Sequence, residues 1–223
     1  MAKTTNFSSD MATLLMGAGA TIKILSGGAT KEVDVNTFLW ESDSMDTDVL
    51  LSVTIPKLAA NEHLLTFRAA QRPNNAHAML NACFRATVCP ETKTISGAVL
   101  AFGVADLKAT FALAAQDALN GASLDVSGLA ATLAALEEMK MIEEVQYHTT
   151  QQPEGKDAYR RSLVTSFMYK FFVHLMPSAP ATIATAAQLH ERPVSTGKQT
   201  FSTVLPEGHP GRKPMPKIEA KEQ

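Results

Sequence analysis

The chain has 223 residues, 45% hydrophobic and 19% charged, enough for one large or two small domains with a sizeable core. A formal net charge of −2, with the basic residues dispersed, removes the electrostatic case for nucleic acid or an anionic membrane surface as a partner. No apolar run reaches the ~18 residues that a membrane span requires and the N-terminus lacks a signal peptide's apolar core, so the expectation is a soluble, cytoplasmic protein.

Ser8 or Ser9 can cap a short helix over "SSDMATLLMGAGA", with Met11, Leu14 and Leu15 as its apolar side and Gly17 or Gly19 as its end. The Gly17-Ala18-Gly19 triplet follows a helix and precedes a strand, the reverse of a dinucleotide-binding fingerprint. "TIKILS", the turn "GGAT" and "KEVDV" read as a β-hairpin, and Val49 to Ile55 as a further strand closed by Pro56.

The stretch from Leu64 to Val104 holds three β-type runs separated by two turn signals, "QRPNNA" and "CPETK". Ala78, Leu80, Ala82, Phe84, Ala86 and Val88 share one parity, while Asn81, Cys83, Arg85 and Thr87 share the other, the period of a strand with one buried face. Upstream, His63, Leu65, Phe67 and Ala69 alternate with Leu64, Thr66, Arg68 and Ala70. Ile95 to Val104 is apolar on both parities and is expected to be the most buried strand of an antiparallel, three-stranded sheet.

Three helices are expected next. "DLKATFALAAQDALNG" has Asp106 as its N-cap and Gly121 as its stop. Asp125 or Ser127 opens the second, whose Leu129, Leu133 and Leu136 are continued by Met141, Ile142 and Val145. The third runs from Asp157 to Leu175, with apolar pairs at Leu163/Val164, Phe167/Met168 and Phe171/Phe172, and is closed by Pro177. From Ser178 onward Pro, Ser, Thr, Ala and Lys dominate, which predicts an irregular tail dispensable for folding. Sheet plus helix layer gives an α+β fold.

Two cysteines cannot supply the four ligands of an iron–sulfur cluster, and no His spacing completes a zinc site. Cys83 and Cys89 on one strand would lie about 20 Å apart at ~3.3 Å per residue, beyond disulfide reach, so both read as free thiols. The sequon at Asn6 has no secretory context. His148 with Glu143 and Glu144 reads as a solvated helix end, and Ser195 to Lys198 lacks the Gly and strand of a phosphate loop. No catalytic residue and no metal site is assigned.

The run "DVLLSVTIPKLAANEHLLTFRAAQRPNNAHAMLNACFRATV", then "GAVLAFGV", then a helix with Tyr-Arg, Ser-Phe and Lys-Phe-Phe, resembles the FAD-containing middle segment of the molybdenum hydroxylases, the aldehyde oxidases and xanthine dehydrogenases, over about residues 3 to 216. The "TFRAAQRP…A…LNA" wording is closer to the aldehyde oxidases. The resemblance implies that 1–58 is the C-terminal half of the FAD-binding domain, 59–177 its α+β C-terminal subdomain, and 178–223 a linker toward a molybdenum domain. It implies a partial FAD site, while the molybdenum cofactor and 2Fe–2S clusters belong only to the intact enzyme. Asp10 matches an Asp whose carboxylate accepts hydrogen bonds from the flavin. Leu50 matches a residue lining the ring, on the face shared with Ser52 and Thr54. Arg68 matches a position where many members carry Lys, and it keeps a cation near the ring's pyrimidine end.

By this resemblance the intact enzyme passes electrons from iron–sulfur clusters through FAD to oxygen or NAD, and this chain alone is incomplete and inactive. Its partners are the remaining domains or a second copy. The alternative is a non-enzymatic module that folds around its sheet and acts by association with other chains.

Overall fold

Ser9 has extended backbone, and its hydroxyl accepts a hydrogen bond from the Ala12 amide at 3.3 Å, meeting one of the first turn's orphan donors. Helix α1 (Asp10–Gly17) follows, and Gly19 just beyond it takes φ +72°, where a side chain would be strained. The structure, a computed structural model, describes residues 9–40, 48–72, 76–106, 108–139, 156–176 and 178–188. The helix is rotated from the sequence expectation: Ala12, Thr13, Met16 and Gly17 are its buried residues and Met11 is exposed. Close approach decides this, because a Cβ on Gly17 would lie 2.5 Å from both Cβ and the carbonyl oxygen of Cys83. Only a face of small residues lets the helix settle that near a strand.

Strands β1 (Thr21–Ser26) and β2 (Ala29–Asp34) form the expected hairpin, with Gly27 and Gly28 at φ +55° and +82°, the pair of positive angles that a two-residue loop of matching twist requires. Strand β3 (Val49–Thr54) pairs on the other side of β1, giving the order β2-β1-β3. Between β2 and β3 in the chain lies α2 (Val35–Trp40), whose first residue, Val35, the sequence reading took as the end of a strand and whose remainder it left unassigned. Its start is local: Asp34 accepts the Thr37 amide at 2.9 Å and the Thr37 hydroxyl at 2.6 Å, and these bonds hold its carboxyl below the usual range.

The larger sheet contains β4 (Glu62–Ala70), β5 (Ala78–Val88), β6 (Ile95–Gly103) and β7 (Thr110–Phe111), in that spatial order and antiparallel throughout. It thus has four strands among the described residues, not the three expected. Thr110 and Phe111 were assigned to a helix opened by Asp106. The free edge of β6 takes them instead, with Ala101 opposite Phe111 and Phe102 opposite Thr110. Helix α3 (Leu113–Leu119) therefore starts later, and it closes the rest of that edge: Gln116 Oε1 accepts the Leu100 amide and Asn120 Oδ1 the Ala98 amide, each at 2.9 Å.

Helix α4 (Val126–Glu137) begins at Asp125, whose carboxylate accepts the Ser127 and Gly128 amides. Helix α5 (Lys156–Leu175) matches the expected third helix, and α6 (Ala181–Ala187) makes part of the tail helical where irregular chain was expected. The stripe extension at Met141, Ile142 and Val145, the His148 and Glu143/Glu144 set, and the tail from 189 on lie outside the described residues.

One face of the large sheet carries the main core. Phe84 is fully buried, with ring centroids 5.5 Å from Phe67, 5.0 Å from Phe102 and 5.5 Å from Phe171 of α5. The expectation that β6 is the most buried strand is corrected: β5 is buried on both faces from Ala78 to Phe84, whereas β6 exposes Ser96 and Gly97. The second face is covered because α1 lies over Asn81 and Cys83, the parity read as polar. A second cluster continues there from Met16, Ile22, Ile24, Val35 and Leu39 to Ala101 and Ala109. Trp40 Nε1 donates to the Ala109 carbonyl at 2.9 Å, and Lys108 Nζ donates to the Leu39 carbonyl at 2.6 Å while lying 5.2 Å from the Trp40 ring. Among the described residues no helix is long and apolar enough to cross a membrane.

Candidate functional site

Register places the site. Arg68 and Asn81 are direct partners across β4 and β5, so their side chains leave the sheet on one face, the face under α1. Asp10, in the first turn of α1, meets both. Arg68 Nε donates to Asp10 Oδ2 at 2.7 Å, and Asn81 Nδ2 donates to Asp10 Oδ1. A further Arg68 donor, Nη2, is bonded to the Ala76 carbonyl. The guanidinium therefore bridges a carboxylate and the backbone entering β5, a two-ended grip that a single ammonium could not reproduce.

Burial grades across the trio. The Arg68 and Asp10 side chains are 36% and 46% exposed, so they remain reachable from solvent, whereas Asn81 is 3% exposed. Asn81 Oδ1 is buried with no hydrogen-bond partner among the described residues, a loss of about 1–3 kcal/mol for an unmet buried acceptor. Farther along the same face Arg85 donates from Nη1 to Glu62 Oε1 at 3.1 Å, beside Gly19 at the C-terminal end of α1. A cation there suits the negative end of the helix.

The sequence-predicted residues thus divide. Asp10 and Arg68, far apart in the chain, are brought into contact. Leu50 is not brought to them: it lies on β3, whose six residues are all exposed and which, among the described residues, pairs only with β1. The expectation that Leu50 shares a face with Ser52 and Thr54 is corrected by a register shift. Lys23 pairs with Ser52 but Ile24 pairs with Leu50, so one extra residue, Leu51, changes the parity and sets Leu50 on the Ile22/Ile24 side. Asn81 was missed because strand parity assigned it to a solvent face. The available signal was the small-residue side of α1, with Ala12 and Gly17, which lets a helix cover that parity.

The donor set fits one part of a flavin. A carboxylate acceptor and a reachable cation side by side suit a polar ring edge with both N–H donors and acceptor oxygens. Among the described residues, Gly17 and Gly19 do not form a cradle for a pyrophosphate: Gly17 packs against Cys83 and Gly19 takes a positive φ just beyond α1. Among the described residues no group of His, Cys, Asp or Glu side chains could hold a metal ion.

The two thiols differ in environment, Cys83 being buried and Cys89 half-buried. Burial under α1 pushes the Cys83 thiol up to about 12, against a smaller lowering by Arg85, while the Thr92 hydroxyl bonded to Cys89 lowers its pKa. A native chain titrated at pH 8 with an aromatic disulfide reagent is expected to release one equivalent fast, from Cys89, and the second only after unfolding. Two fast equivalents would contradict the burial of Cys83. Because Cys83 stays protonated when folded but ionises when unfolded, stability is expected to fall as pH rises from the unfolded thiol's value near 9 toward the folded value of about 12.

Residues 65–175 match the family of the CO dehydrogenase flavoprotein C-terminal domain, and those residues are the large sheet and its helices. Probable aldehyde oxidase 4 of Oryza sativa subsp. japonica is 29% identical over 239 residues, covering 96% of this chain and 27% of that protein. An indole-3-acetaldehyde oxidase of Arabidopsis thaliana is 33% identical, covering 82% and 14%, and a xanthine dehydrogenase of Drosophila pseudoobscura pseudoobscura is 26% identical, covering 89% and 16%. Among solved structures, quinoline 2-oxidoreductase from Pseudomonas putida 86 superposes with a TM-score of 0.59 at 22% identity, over 78% of this chain and 57% of that one. Reconstituted CO dehydrogenase from Oligotropha carboxidovorans gives 0.59 at 15% identity, over 74% and 55%.

The fold is accordingly that of a flavoprotein C-terminal domain joined to further helix and sheet. The chain belongs to the molybdenum hydroxylases, and it spans about a quarter or less of the curated relatives it matches.

Proposed function

We propose that this chain supplies one wall of the FAD site in a molybdo-flavin oxidoreductase of the aldehyde oxidase or xanthine dehydrogenase type. Residues 1–58 are the C-terminal half of the FAD-binding domain, 59–177 its C-terminal subdomain, and 178–223 the way out toward the rest of the enzyme. FAD supplies the electron chemistry when bound, taking electrons from iron–sulfur clusters and giving them to oxygen or NAD. The protein's part is to bind, orient and set charge. Asp10 offers an acceptor for ring or hydroxyl donors, Arg68 holds a positive charge at the ring's polar edge, and Leu50 lines the ring from β3. Molybdenum, iron–sulfur clusters and the pyrophosphate loop come from other domains or partner chains, and the reaction takes place in the cytoplasm.

The observation that supports this reading is the meeting of Asp10 and Arg68 at 2.7 Å, on a pair left accessible to solvent. The resemblance picked out both positions separately, 58 residues apart in the chain. Because the contacts in hand reach only part of the ligand, the chain alone is expected to bind FAD no tighter than micromolar. A flavin fluorescence titration tests this. Sub-micromolar affinity for the isolated chain would overturn the partial-site reading.

A further inference from the structure

The Asp10–Arg68 pair is exposed, and an exposed ion pair of two mobile side chains holds no single geometry by itself. What distinguishes this one is the buried amide beneath it. Asn81 stands opposite Arg68 in the β4/β5 ladder, is almost wholly buried, and gives its Nδ2 to Asp10 Oδ1. The carboxylate is thereby divided: one oxygen is tied down into the sheet and the other is left facing Arg68 Nε. Asn81 Oδ1 meanwhile has no partner among the described residues. An apolar side chain of the same shape would avoid that loss, so the presence of an amide points to use of its donor.

We propose that Asn81 is a positioning residue, acting through Asp10: it fixes the carboxylate so that Oδ2 and the Arg68 guanidinium present one defined polar edge. The role in flavin binding rests on the reading given above; the orientation of the pair does not. Asn81 is 3% exposed and its amide donor is engaged by Asp10, so its effect on the exposed edge travels through Asp10.

The test uses the full 223-residue chain and the exchange of the Arg68 Nε–H, followed by nitrogen-15 NMR and assigned by its loss in Arg68→Lys. Asn81→Leu keeps the volume and removes the donor; Asn81→Ala serves if the Leu variant fails to fold. The Arg68 Nε–H is expected to exchange at least tenfold faster in the variant, while the Arg85 Nε–H on the same face stays unchanged. A smaller change at Arg68, or equal acceleration at both arginines, would overturn the proposal and leave Asn81 as plain packing. The flavin reading fails separately: if the exchange responds to Asn81 but FAD occupancy of a restored flavoprotein responds to neither Asn81→Leu nor Arg68→Met, the positioning stands and the flavin wall does not.

Discussion

Phe84→Ala is expected to destabilise the chain by about 3–5 kcal/mol, the range for truncating a buried Phe whose surroundings cannot collapse. Phe84 is 0% exposed at the centre of β5, between Leu65 of β4 and Leu100 of β6 in the ladder. Its ring also touches Phe67, Phe102 and Phe171, so sheet and helix layer both lose contacts when it goes. The void would be walled by β4, β6 and α5, and strand backbones held in register cannot move in to fill it. Urea unfolding should show a midpoint lower by more than about 1 M, given a slope of 1–3 kcal/mol per molar. An unchanged midpoint would mean that this face of β5 is not the core.

Gly17→Ala sets two effects of opposite sign against each other. Replacing a helical Gly with Ala favours the helix by roughly 0.5–1 kcal/mol. The new methyl, however, would sit 2.5 Å from Cβ and the carbonyl oxygen of Cys83, and a backbone oxygen in the middle of β5 has nowhere to go. Overpacking of this kind costs typically about 1–3 kcal/mol, so the net expectation is a loss of roughly 1–2 kcal/mol, with α1 lifted off the sheet. Lifting α1 also carries Asp10 away from Arg68 and Asn81, which should perturb the Arg68 side-chain resonance in the same variant. A stabilised protein would show that helix propensity outweighs the contact and that α1 does not pack on Cys83 as described.

The same helix marks the limit of what the sequence revealed. Period-2 alternation identified β4 and β5 and placed Phe84 inward, because one face of each strand is covered by a layer of large apolar side chains that alternation reports directly. Alternation could not report that Asn81, Cys83 and Arg85 are covered as well. Their cover is a helix whose closest approach is made by small residues, and Ala12 and Gly17 carry little hydropathy signal. Met11 drew the helix face toward the wrong side for the same reason. Thr110 and Phe111 were lost to helix periodicity, since a two-residue edge strand is defined by the neighbour's free backbone groups and not by its own sequence. Leu50 shows a third limit: the bulge at Leu51 exists only in the pairing of β3 with β1, and without the register every parity argument past it is reversed.

Within the site, Asp10 and Arg68 were legible only through the family resemblance, and Asn81 only through the coordinates that join them. The claim that Arg68 is the charged part of a flavin wall is tested most directly by the midpoint potential of FAD in a flavoprotein restored by co-expressing this chain with the flavoprotein portion of its relatives that lies outside the matched segment. A cation beside the ring stabilises the negative charge that reduction brings. Arg68→Met should therefore lower the potential by tens of millivolts, on the scale of about 30 mV for ~1.4 kcal/mol in a two-electron couple. Arg68→Lys, which keeps the charge while giving up the grip on Ala76, should retain most of the original value. Potential and FAD occupancy unchanged in Arg68→Met would contradict the account and leave the Asp10–Arg68 pair as a surface contact between a helix and a sheet.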